Sequence, residues 1–146
     1  MKDIDIAVEL LKKNNFTLVV VKEGKVIFSS YDKGINPLYT VLREQKEDLK
    51  GASIADRVTG KAAAMLCSYA EIKELKTELI SVNAINVLKE ANIKYDYVQI
   101  TPYIKNRDQT GMCPVETLTL KANNIEELLI EIEKFLENIK RKRAVS

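Results

Sequence analysis

The chain has 146 residues, the size of one domain able to bury about two thirds of its unfolded surface, and its 46% hydrophobic and 30% charged residues exclude disordered and fibrous classes. Lys140, Arg141, Lys142 and Arg143 outweigh the formal charge of +2, so the body of the protein is mildly acidic and a nucleic-acid-binding face spread over the domain is excluded. Histidine is missing altogether, which removes the commonest metal ligand and the commonest general base at neutral pH.

Residues 1–146 are expected to form one domain with a basic tail over about 140–146. The start, Met1-Lys-Asp-Ile-Asp-Ile, lacks the apolar core of a leader and carries Asp3, Asp5 and Glu9, and the apolar run Leu18 to Val21 is far short of a membrane span. A cytoplasmic location is the expectation. Cys67 and Cys113 lie far apart with no CxxC spacing and read as free thiols of a reducing compartment.

Ile4, Val8 and Leu11, flanked by Ile6 and Leu10, mark a first helix that ends in the polar stretch Lys12 to Asn15. Phe16–Val21 and Lys25–Ser30 are β-branched runs joined through Lys22-Glu-Gly24, a hairpin in which Gly24 supplies the positive φ. Asp32-Lys-Gly34 breaks the second strand. A helix then starts with Asn36 as N-cap and Pro37 in its first turn, with Leu38, Val41, Leu42 and Leu49 on its apolar side. The segment Ser53–Ala64 reads as a loop turning into a helix on which Val58, Ala62, Met65, Leu66 and Tyr69 recur at helical spacing. Thr77–Val82 reads as a third strand, Asn83–Asn92 as a short helix and Tyr95–Ile100 as a fourth strand, an alternation that implies a parallel crossover. Residues 103–112 form a loop, Cys113-Pro114 begins a helical turn, and Asn124-Ile-Glu-Glu127 is a capping box for a long last helix.

Two segments carry chemistry: Asp56-Arg57-Val-Thr-Gly60-Lys61 and Cys113-Pro-Val-Glu116. Gly60-Lys61 is not a phosphate loop, because that motif needs glycine at 55 and Ser or Thr at 62, where Ala55 and Ala62 stand. Arg57 and Lys61 are four apart, on one side of a helix start whose free N–H groups favour an anion. The same residues also fit structural roles: Ser53 and Asp56 have capping-box spacing, and Thr59 suits the cap of a helix beginning at Gly60. Cys113 as an N-cap would have a lowered thiol pKa and act as a nucleophile, with Glu116 as capping partner or as acid or base. The alternative for a lone cysteine is a small buried hydrophobe, the class to which Cys67 is assigned. Asn83 stands at the carboxyl end of a strand, where open α/β sheets bind ligands, and equally suits an N-cap.

The order of elements, with Asp56-Arg-x-x-Gly60-Lys61-Ala-Ala-Ala and Cys113-Pro-x-Glu116, resembles an uncharacterised bacterial domain family whose fold is that of cytidine deaminases. The resemblance covers nearly the whole chain. It implies an α/β, three-layer α-β-α cytidine deaminase-like fold, a mixed sheet with an N-terminal antiparallel hairpin and parallel crossovers. Deaminases of this fold place His-Ala-Glu at the start of the helix after the hairpin and Cys-x-x-Cys at the start of the next, to hold zinc and move protons. The neighbourhoods assigned to them here are Gly60-Lys61-Ala62-Ala63 and Asn83-Ala84-Ile85-Asn86, which hold neither the ligands nor the glutamate. No metal, no cofactor and no zinc-dependent deamination is therefore expected. The resemblance further implies that the helix starts surround one cavity. The expected function is a pocket for an anionic, nucleotide-like small molecule, held by Arg57 and Lys61 with Asp56, Gly60 and Asn83, any chemistry falling to Cys113, Glu116 or Lys61. The alternative is a non-catalytic module that senses a metabolite or assembles homo-oligomers, and neither reading involves a membrane or nucleic acid.

Overall fold

The computed structural model describes residues 1–106 and 108–145. Helix α1 (Asp3–Lys13) leads into strands β1 (Leu18–Lys22) and β2 (Lys25–Ser30), which pair antiparallel. Their turn places Glu23 at φ 51° and Gly24 at φ 78°, the left-handed pair that matches the twist of a tight hairpin. The Asp3 carboxylate accepts from both turn N–H groups at 2.9 Å, tying the first turn of α1 to the hairpin.

Helix α2 (Asn36–Leu49) follows, broken at Gln45, and its N-cap is Ile35, so Asn36 is the first helical residue and not the expected cap. The largest departure from the sequence reading comes next. Ser53–Thr59 is a strand, β3, followed by helix α3 (Lys61–Ala70), strand β4 (Glu74–Ser81), helix α4 (Val82–Glu90) and strand β5 (Lys94–Thr101). The sheet therefore has five strands in the order β2-β1-β3-β4-β5, with β3 at its centre, antiparallel to β1 and parallel to β4. Alternation hid this strand: Ile54 and Asp56 point one way, Ala55 and Arg57 the other, and a charge on each side masks the apolar period. Helices α5 (Pro114–Lys121) and α6 (Ile125–Val145) complete the chain. At the start of α6, Glu127 donates its N–H to Asn124 Oδ1 as a capping box requires, while its carboxylate receives the N–H of Asn123.

The two faces of the sheet are covered unequally. Ala7 and Leu11 of α1 pack on Val19, Val21 and Ala55, a small core of their own. The larger core lies on the other face, where Leu18, Val20 and Ile54 meet α2, α3 and α4, and Leu128 and Ile132 of α6 close over it. This is the expected three-layer α-β-α arrangement with a mixed sheet and parallel crossovers. No helix among the described residues is long and apolar enough to cross a membrane.

Candidate functional site

The junction between β3 and α3 is the organising point of the site. Gly60 is the N-cap of α3 and brings no side chain to the role, so the first N–H groups of the helix need a partner from elsewhere. Glu116 of α5 supplies it, with Oε2 accepting the N–H of Lys61 at 3.0 Å across 55 residues of sequence. A Cβ at position 60 would overlap Glu116 Oε1 and lie 2.9 Å from the Ile104 side chain, so a larger residue here must displace the carboxylate that caps α3. Glu116 is 9% exposed. Burial pushes its pKa up, and the N–H groups of Lys61 and Ala62 pull it back in part.

Asp56 lies on β3 four residues before Gly60, on the side of the strand that Ile54 turns to the larger core. Burial raises its pKa from 3.8 to about 7, against the opposing pull of hydrogen bonds from the N–H groups of Arg57 and Val58 and the Thr59 hydroxyl. The Arg57 N–H donates to Oδ1 at 2.8 Å and Thr59 Oγ1 to Oδ2 at 3.1 Å. Asp56 keeps some accessible surface, and that surface belongs to a cavity wall inside the fold. Thr59 is thus a partner of Asp56 and not the cap of α3, and the capping-box reading of Ser53 and Asp56 falls with the strand assignment.

Asp56 and Glu116 both line a cavity of about 360 Å³. Leu18 of β1, Ile35 and Leu38 at the start of α2, Ala63 of α3, Ile104 and Val115 make most of its wall apolar. Asp32 and Lys33 stand at its exposed rim, and Gly60 and Cys113 also border it. Cys113 is the N-cap of α5, as its spacing to Pro114 implied, but its side chain makes no capping hydrogen bond and Glu116 serves a different helix. Cys67 is buried in the core and its thiol pKa is pushed up by burial and then by the Asp56 charge, in keeping with its assignment as a hydrophobe.

Three expected contributors are placed elsewhere. Arg57 borders the cavity, yet its guanidinium reaches the other face of the sheet, where it donates to Leu11 O at 2.8 Å and Phe16 O at 2.9 Å and pairs with Glu78 at 2.7 Å. It closes the last turn of α1, and its charge is met by Glu78. The Lys61 side chain is not part of the lining, and its N–H is taken by Glu116, so the anion seat expected between Arg57 and Lys61 is filled by a carboxylate of the protein itself. Asn83 is exposed in the first turn of α4 and outside the lining, and the cap of that helix is Ser81, which accepts the Ala84 N–H at 3.2 Å. The walls from Leu18, Ile35, Leu38 and Ile104 were missed in the sequence because they come from four separate segments with no shared motif.

The added strand also moves the deaminase correspondence by one element. The helix after the hairpin is α2 and the next is α3, so the zinc neighbourhoods become Ile35-Asn36-Pro37-Leu38 and Gly60-Lys61-Ala62-Ala63 in place of the pair at 60 and 83. Both border the cavity, and neither offers an imidazole, a thiolate or a carboxylate. Among the described residues no three His, Cys, Asp or Glu side chains converge on a common point. This donor set does not fit a zinc ion.

Comparison with known proteins gives a strong likeness. The family model for a domain of unknown function, DUF1893, matches residues 6–136. The crystal structure of a DUF1893 family protein from Thermotoga maritima superposes with a TM-score of 0.81 and 26% identity, over 92% of this chain and 90% of that one. Acinetobacter baumannii RibD is matched at a TM-score of 0.46 and 17% identity, over 86% of this chain and 39% of that longer one. No curated protein matches the chain.

Proposed function

Because the chain belongs to the DUF1893 family, a domain of unknown function, we propose from the geometry of its site that it is a small-molecule-binding domain, residues 1–146 acting as one unit. The observation that carries this reading is the cavity of about 360 Å³ with the carboxyl groups of Asp56 and Glu116 set in a mostly apolar wall, the composition of a site that encloses a ligand and orients it through a few polar atoms. Asp56 and Glu116 are the orienting groups. For any reaction, Glu116 is the acid or base and Cys113 the nucleophile within reach of the bound molecule. Two cysteines without a disulfide agree with a cytoplasmic setting.

Filling the cavity tests the reading. Ala63, 7% exposed and part of the wall, replaced by leucine, is expected to leave the fold intact by circular dichroism while abolishing retention of a copurified small molecule in native mass spectrometry. Equal retention by Ala63→Leu would remove the cavity from consideration. A panel assay for turnover then separates an enzyme from a binding module.

The oligomerising alternative has its own observation. Strand β5 is an edge of the sheet with Val98 72% and Ile100 52% exposed, beside unpaired backbone groups able to receive a second copy of this chain. Sedimentation velocity over a concentration series decides it, since a monomer at every concentration rules the alternative out.

A further inference from the structure

The charge of the cavity wall restricts what enters it, and the restriction runs against the anion that Arg57 and Lys61 led the sequence to expect. On the inner wall the polar side chains are the carboxyls of Asp56 and Glu116 and the Thr17 hydroxyl, whose proton goes to the carbonyls of Ser30 and Asp32, and Asp32 adds a third carboxyl at the rim. The positive groups are withdrawn. Arg57 spends its guanidinium on Leu11 O, Phe16 O and Glu78, and Lys33 is exposed at the rim beside Asp32, where solvent screens it. The first N–H of α3 is already bonded to Glu116 Oε2, and Gly60 allows that carboxylate to approach the helix start closely. The anion position of this helix is thereby occupied from within.

We infer that the cavity selects a compact, mainly apolar ligand whose polar end is a hydrogen-bond donor, positively charged or neutral, and that it rejects carboxylates and phosphates. The inference rests on the small-molecule reading of the same cavity. An anion entering would lose its hydration with no cation to receive it, next to groups of like charge. A cationic donor favours the ionised form of the carboxyl it meets and is bonded in the same contact. A neutral donor lies between, since it brings the hydrogen bond without the charge.

Benzamidine, benzamide and benzoate share one ring and differ in the charge and donors of one planar group, so they separate these effects. Titrated at pH 7 into the full chain and followed by amide chemical shifts of Gly60, Ala63 and Ile104, they are expected to bind in the order benzamidine, benzamide, benzoate, with at least tenfold between first and last. Added salt should weaken benzamidine and leave benzamide unchanged. Glu116→Gln and Asp56→Asn are each expected to reduce the benzamidine preference several-fold; if either variant unfolds, the salt series on the natural chain carries the same test. Benzoate binding in the cavity as tightly as benzamidine overturns the inference and leaves the small-molecule reading standing. Failure of all three to move these amides at millimolar concentration defeats the small-molecule reading itself.

Discussion

Asp56 makes the protein's stability depend on pH in a direction opposite to that of most aspartates. Its pKa is about 7 in the folded protein against 3.8 as the ordinary value, so between these limits the folded state holds a proton that the unfolded state has released. Stability therefore falls as pH rises through this window and levels off above it, by on the order of a few kcal/mol. Urea denaturation at pH 5 and pH 8 should show the natural protein losing more stability across that interval than Asp56→Asn. Glu116, shifted the same way, leaves a residual slope in the variant. A natural protein with equal stability at both pH values would remove the argument. A second residue-scale prediction concerns Gly60, where a Cβ would collide with Glu116 Oε1. Gly60→Ala is expected to cost about 3 kcal/mol, and Gly60→Ala with Glu116→Ala much less than the sum of the two single changes. Additive losses in the double-mutant cycle would show that the two positions do not press on each other.

At the level of elements, Arg57 fastens α1 to the sheet. It is the shared partner of the last turn of α1 through Leu11 O, of Phe16 beyond it and of Glu78 on β4, so the end of the helix loses its link to the sheet when the guanidinium goes. Arg57→Met should cost about 2 kcal/mol and raise hydrogen exchange in residues 3–15 above that in α3 and α4. Uniform loss of protection would mean that α1 is no more dependent on Arg57 than the rest. The same residue explains how far the sequence could be read. The hairpin was legible because β-branched runs flank Gly24, and the last helix because Asn124 and Glu127 stand at capping spacing and an apolar stripe follows. Strand β3 was not, because its charged residues serve partners on both faces of the sheet, and the purpose of Asp56 and Arg57 appears only when Cys67, Leu11 and Glu78 are brought beside them. The cavity was half legible: the helix starts at Gly60 and Cys113 do meet, but a cap reaching from Glu116 to Lys61 follows no local rule.

For the molecule as a whole, the uneven covering of the sheet sets its colloidal behaviour. The outer strand β2 carries Lys25 and is short, whereas β5 presents Tyr97, Val98 and Ile100 with its charges Lys94 and Asp96 confined to one end and paired to β4. Val98→Lys is expected to raise the concentration at which the heated protein aggregates while changing its melting temperature little, because an edge lysine opposes strand addition without disturbing the core. Unchanged aggregation in light scattering would place the sticky surface elsewhere. The cap that Glu116 gives α3 also orders events in time. The first N–H of α3 receives its protein partner only once a residue 55 positions later is in place and α5 has docked, and until then water must satisfy it. The nascent chain thus passes through an interval in which the helix start that the finished protein seals is open to any anion in its surroundings.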